Sequence, residues 1–356
     1  MISGGAERTT RLDFHIYHGV FRDDESFLPL LLEALRAATM DSPIEAVRLH
    51  SGVLYFLSPN QVGTLLEHLA YLPRLKVLAM SFGNEGFHFD ATHVAKFLQR
   101  AQSIEKLSMG PIVTLSETSL QLLTEALHQH PTLQSIHFLN LTTSASLAAT
   151  SLWQRRNTAM FNPQGGGLTP LLQALATVPN LQRVQLASHG STGLLSQDEF
   201  VAPALHHLVA TSSKLDSLIL QSLGLNNATV AKLAEALETT SSNDTHLTYI
   251  DLEGNPQITE DGYERLVNTL VTGHNDRLTY LDLDWNNQGK SLQLEATAKL
   301  YLRLNRVGRH RFLRRDSTPE DHLRVLEKCL QEPPRMQLDL LFVLLRLKPS
   351  MVRDGL

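Results

Sequence analysis

Residues 247–256 read LTYIDLEGNP, and residues 278–287 read LTYLDLDWNN. Near-copies at a spacing of 31 residues mark an internal repeat. Apolar residues hold positions 1, 4 and 6 of both: Leu247, Ile250 and Leu252, then Leu278, Leu281 and Leu283. The same frame recovers IEAVRLHSG (44–52), LKVLAMSFG (75–83), IEKLSMGPI (104–112), LQSIHFLNL (133–141), LQRVQLASH (181–189) and LDSLILQSL (215–223). A degenerate first copy is RLDFHIYHG (11–19), with Arg11 at its head, which makes nine copies. Successive starts lie 29–34 residues apart, except for one gap of 48.

Between these segments apolar residues recur at i, i+3, i+4 and i+7, as in VGTLLEHLAYLP (62–73), LQLLTEALHQHP (120–131) and VAKLAEALETTS (230–241). That spacing predicts one-faced helices. Pro73, Pro131 and Pro179 follow helix ends as breakers. Each unit therefore reads as one short strand and one helix. A lone unit cannot bury its apolar face, whereas stacked units share one core. The prediction is an α/β solenoid: parallel strands on one side, helices on the other.

The pattern L-x-x-L-x-L, the long period and the full helices resemble the leucine-rich repeat family, in its ribonuclease-inhibitor-like subclass. The resemblance spans roughly residues 10–295 and implies a curved horseshoe with a parallel concave sheet and outer helices. The family's asparagine at position 9 is present as Asn255 and Asn286. Gly83, Ile112, Leu141, His189 and Leu223 stand at that place in other copies.

The repeat organises the chain into a solenoid over 1–295 and a helical capping region over 296–356. The 48-residue gap holds a Ser-, Thr-, Ala- and Gly-rich stretch (142–167), which reads as an insertion looping from one face. In the cap, Ser317-Thr318-Pro319-Glu320 reads as a helix start. Leu338, Leu340, Leu341, Val343, Leu344 and Leu345 are candidates to close the open end of the core.

Composition bounds the chemistry. The chain has 356 residues, 42% hydrophobic and 19% charged, as in ordinary water-soluble domains. The formal charge of −5 divides into about −10 over 1–301 and about +5 over 302–356. Arg303, Arg306, Arg309, Arg311, Arg314 and Arg315 crowd the start of the tail. With Phe312 the only aromatic in that run, a solvated face is favoured over a nucleic-acid surface. The N-terminal residues lack the apolar core of a secretory signal, and no run reaches the length of a membrane span. The expectation is a cytoplasmic protein, with the nucleus as alternative, and no membrane association. Cys329, the single cysteine, sits on an apolar helical stripe and reads as a buried structural thiol. His128 and His130 flank a helix end and read as solvent-facing. No zinc-like spacing, nucleophile elbow or phosphate loop occurs, so no catalytic residue, metal or cofactor is expected.

Strand alternation leaves positions 3, 5, 7 and 8 open to a partner. Position 5 runs His15, Arg48, Ala79, Ser108, His137, Gln185, Ile219, Asp251, Asp282. Position 7 runs Tyr17, His50, Ser81, Gly110, Leu139, Ala187, Gln221, Glu253, Asp284. The C-terminal end is acidic and aromatic: Tyr249, Asp251, Glu253, Tyr280, Asp282, Asp284 and Trp285. Adjacent acids at strand spacing repel one another when empty, so a basic ligand gains where folding does not. The family resemblance implies gripping of protein partners at such a C-terminal end, and supports that role for these seven residues. The expected function is a non-catalytic scaffold binding a protein partner with a basic surface. Regulation of a small GTPase, such as GTPase activation, is the alternative that the same resemblance allows. A second candidate patch, for an anionic partner, is His15, Tyr17, His18, Arg48 and His50. The middle of the face reads as small and neutral.

Overall fold

The structure is a computed structural model that describes residues 11–14, 29, 32–33, 42–50, 57–81, 88–143, 168–188, 200–239, 246–273, 275–283, 291–314 and 316–349. Among the described residues, ten strands form one open parallel sheet: β1 Arg11–Phe14, β2 Ala46–Leu49, β3 Val77–Met80, β4 His88–Asp90, β5 Lys106–Leu115, β6 Ser135–Thr143, β7 Arg183–Ser188, β8 Ser217–Gln221, β9 Tyr249–Asp251 and β10 Tyr280–Asp282. Their spatial order follows the chain, apart from β4, which pairs only with β5. Seven described helices alternate with the strands: α1 Pro59–Leu69, α2 Ala91–Arg100, α3 Glu117–Leu127, α4 Leu168–Ala176, α5 Val201–Thr211, α6 Asn227–Thr239 and α7 Glu260–Thr272. Four more close the chain: α8 Leu292–Val307, α9 Arg309–Leu313, α10 Pro319–Gln331 and α11 Pro334–Leu347.

The strands keep one register from copy to copy. Position-4 residues pair in a single row: Val47, Leu78, Leu107, Ile136, Val184, Leu218, Ile250, Leu281. Positions 1, 4 and 6 are buried in every copy from residue 44 to 283. Together with the helix faces they form one continuous core. The residue after position 1 carries the backbone link between units. The amides of Lys76, Glu105, Gln134, Gln182, Asp216, Thr248 and Thr279 each donate to the matching carbonyl of the preceding copy at 2.7–2.8 Å.

The position-9 asparagine has a visible job. Asn255 is buried, and its Nδ2 donates to the Leu220 and Leu252 carbonyls at 2.8 Å. Its Oδ1 accepts from Leu225 N at 3.0 Å, so one amide ties two units together where the chain leaves the sheet. The copies at 104 and 133 lack it. There the strands run on instead, as β5 and β6, and resume pairing beyond a register shift between Met109 and Ile112.

The first copy is phased differently from the sequence reading. Leu12 pairs with Val47 and Phe14 with Leu49, so Leu12 and Phe14 stand at positions 4 and 6, and Arg11 at position 3. Asp13, not His15, therefore lies in register with Arg48.

Helix starts follow local chemistry. Ser58 forms a capping box with Gln61, as does Thr318 with Asp321 at the start of α10. Of the apolar run in α11 only Leu340 and Leu344 are buried; Leu338 is 74% exposed and Phe342 66%. A helix turns one stripe to its core, and 338 and 342 lie on the other. The core itself divides at the cap. Leu302 belongs to the main cluster, whereas Leu304, Val307, Phe312, Val325, Cys329, Leu340 and Leu344 form a second. Tyr301 packs against both.

Arg309 fastens this junction. Its side chain is 1% exposed, lies over the Tyr301 ring, and donates to the Leu270 and Val271 carbonyls at the C-terminus of α7. A cation at that helix end also meets the negative end of the dipole. Gly273, at φ 84°, leaves room for it: a Cβ there would come within 2.9 Å of Arg309 Nη2. One arginine of the basic run is thus an internal brace. Among the described residues no helix is long and apolar enough to cross a membrane.

Candidate functional site

The open face of the sheet, opposite the helices, presents the odd positions of each strand. Position 3 reads Ala46, Val77, Lys106, Ser135, Arg183, Ser217, Tyr249, Tyr280 in one paired row. Position 5 reads Arg48, Ala79, Ser108, His137, Gln185, Ile219, Asp251, Asp282. Aromatic and acidic residues meet at the β9–β10 end.

Tyr249 and Tyr280 stack face to face, with ring centroids 4.1 Å apart and planes 4° from parallel. The Tyr280 hydroxyl donates to Asp282 Oδ2 at 3.1 Å. Tyr280 is 37% exposed, and Tyr249 and Asp282 are half-buried. Burial, the Tyr249 hydroxyl and the Asp282 charge hold the Tyr280 phenol above its ordinary range, so it stays a protonated donor. Glu253 is exposed beside them.

Asp251 is placed otherwise than its strand position suggests. It is 6% exposed, because the Gln221 side chain of the preceding copy lies against it and donates to Oδ2 at 2.8 Å. Its Oδ1 accepts from Glu253 N at 2.9 Å. Burial, and secondarily the Asp282 charge, raises its pKa against the pull of these hydrogen bonds. Asp251 therefore orders the Glu253 turn. Gln221 is the cover that strand alternation does not reveal. It stands at position 7, directly before two acids in its column, and reaches Glu253 Oε2 at 3.5 Å as well. Asp284 and Trp285 lie outside the described residues.

Of the second candidate patch, the described residues include Arg48 and His50. Arg48 is exposed and His50 half-buried, while His15, Tyr17 and His18 lie outside them. Asp13 holds the place in register with Arg48. The middle of the face is not neutral either, because Lys106 and Arg183 stand exposed at position 3.

Of the described histidines and the single cysteine, His130 and Cys329 are buried, whereas His128 is exposed. His130 is 2% exposed, against the solvent-facing expectation, and burial lowers its pKa. It follows the α3 C-terminus, and its amide donates to the Leu127 carbonyl at 3.0 Å. Cys329 is buried, and its thiol is pushed up to about 11 by that burial and by Glu332. A thiol so placed is a poor nucleophile at neutral pH. Among the described residues no group of three or more His, Cys, Asp or Glu is arranged to hold a metal ion. Comparison with known proteins finds no matching family model and no matching curated relative, so the reading of this face rests on its own residues.

Proposed function

We propose that the chain is a leucine-rich repeat solenoid of the ribonuclease-inhibitor-like kind, acting as a non-catalytic scaffold that holds a protein partner on its concave face. The one-register stack with positions 1, 4 and 6 buried, and the Asn255 bridge, support the family reading. The partner contact is the C-terminal end of the face, and its expected partner surface is basic.

The observation that carries this is the stacked Tyr249–Tyr280 pair flanked by Asp282 and Glu253. Two aromatic rings held in one orientation offer contact area at small entropic cost, and binding hot spots favour such residues. The fold does not need them: Ala46, Val77 and Ser217 occupy the same row elsewhere. The neighbouring carboxylates supply attraction to a lysine- or arginine-bearing surface.

Affinity capture with the wild type and with the Glu253→Lys/Asp282→Lys double variant, read by mass spectrometry, tests the reading. The variant is expected to lose basic partners and keep its thermal transition. Identical capture profiles from the two proteins would refute the assignment.

A further inference from the structure

Midway along the open face lies a cavity of about 270 Å³, lined by β3, β5, β6, β7 and the turn entering β8. Lys106, Ser135 and Arg183 are consecutive in the position-3 row. The Ser135 hydroxyl is thus flanked by two cations, each rooted one strand away, at about 4.8 Å. Ser135 is itself buried. His137, two residues on and so on the same face, has Nε2 2.9 Å from Ser135 Oγ.

The charges here are unspent. Among the described residues the Lys106 and Arg183 side chains form no ion pair or hydrogen bond, although both line the cavity with Asp216. Asp216 Oδ1 is buried in the wall without a hydrogen-bond partner. A buried acceptor left unpaired is costly, and so is the approach of two like charges. Neither feature serves the repeat, whose position 3 is alanine, valine or serine in four of the described copies from residue 44 on, counting Ser135 itself, and tyrosine in the last two. A ligand would relieve both: an oxyanion between the cations, and an N–H or O–H donor for Asp216.

We propose that this cavity is a phosphomonoester site that receives a phosphorylated side chain of the protein partner. Arg183 offers a planar fork and Lys106 a point charge to the phosphate oxygens. Ser135 adds a hydroxyl donor when His137 Nε2–H in turn donates to its Oγ. The backbone amide beside a phosphorylated residue supplies the donor for Asp216. The choice of a partner side chain over a free phosphate rests on the scaffold reading above. On that reading the phosphate sits three to four strands from the Tyr249–Tyr280 edge, about 14–19 Å. The partner would then carry a phosphate and a basic group at that separation.

The test is calorimetric titration of the full chain with N-acetyl-O-phosphoserine methylamide at fixed ionic strength. Its unphosphorylated analogue and inorganic phosphate are the comparison ligands. The phosphoserine probe is expected to bind, the unphosphorylated analogue not, and Lys106→Ala/Arg183→Ala to lose at least tenfold in affinity. Asp216→Ala should lower affinity for the probe towards that for inorganic phosphate, and the Glu253→Lys/Asp282→Lys protein should bind the probe as the wild type does. Absence of binding, or equal binding by the Lys106/Arg183 variant, overturns the site. Equal affinity for inorganic phosphate and the probe overturns the assignment to a partner side chain. Because the probe assay needs no partner, it can succeed where capture through the acidic edge fails, and the reverse.

Discussion

The Tyr249 and Tyr280 rings lie nearly parallel with centroids 4.1 Å apart, closer than the strands that carry them. The two residues are paired in the β9–β10 register and belong to successive copies of one motif. The stack is therefore a contact between repeat units as well as an exposed surface. A double-mutant cycle with Tyr249→Ala and Tyr280→Ala should give a coupling of about 0.5–1.5 kcal/mol in urea unfolding. Each single variant should also reduce partner capture. A coupling near zero would leave the pair as two independent side chains.

Asp251 makes a second prediction, with a definite sign. Its folded pKa is raised, chiefly by burial, above the unfolded value. The folded state thus binds the proton more tightly, and at neutral pH the charged carboxylate works against folding. Asp251→Asn retains an acceptor for Glu253 N and should raise the thermal midpoint at pH 7. The gap between variant and wild type should close as the pH falls through the folded pKa of Asp251, where the wild-type carboxyl is protonated too. A destabilised variant at pH 7 would show that its charge-assisted bonds to Gln221 and Glu253 outweigh its burial.

These residues mark what the sequence could and could not convey. Positions 1, 4 and 6 were legible because burial and period impose them in every copy. The phase of the first copy was not: Leu12, Phe14 and Ile16 alternate evenly, so strand periodicity fits two frames, and only pairing with Val47 and Leu49 selects one. The aromatic stack followed from column 3, since equal positions on paired strands must meet. The burial of Asp251 did not, because its cover is Gln221, thirty residues earlier, and alternation gives a side chain's direction but not what lies over it. Lys106 and Arg183 were present in the same column as the tyrosines. They lie 77 residues apart in sequence and only two strands apart in space.

Arg309 yields a third prediction. Its loss would take the guanidinium donor from the Leu270 and Val271 carbonyls, leaving Leu270 only the Gly273 amide, and open a cavity under Tyr301. Arg309→Ala should cost about 2–4 kcal/mol, combining lost hydrogen bonds with lost packing. Because the second core cluster is anchored through this junction, α8–α11 should lose amide-exchange protection ahead of the sheet. Uniform loss of protection along the chain would mean that cap and stack unfold as one unit.

His310, next in sequence, makes the pH dependence of that junction measurable. Burial lowers its pKa from 6.5 to about 4, with Arg277, Arg311, Arg314 and Lys328 adding repulsion. The unfolded chain therefore binds this proton where the folded one does not. Stability contributed by the neutral imidazole is present above pH 6.5 and is lost as the pH falls from 6.5 towards 4. His130 and His137, also lowered by burial, act in the same direction. His310→Gln removes one titration and should flatten the acid limb of a stability–pH profile over that window, while leaving the limb above pH 7 unchanged. A profile parallel to that of the wild type between pH 6.5 and 4 would mean that His310 titrates alike in both states, with solvent screening it from the four neighbouring cations.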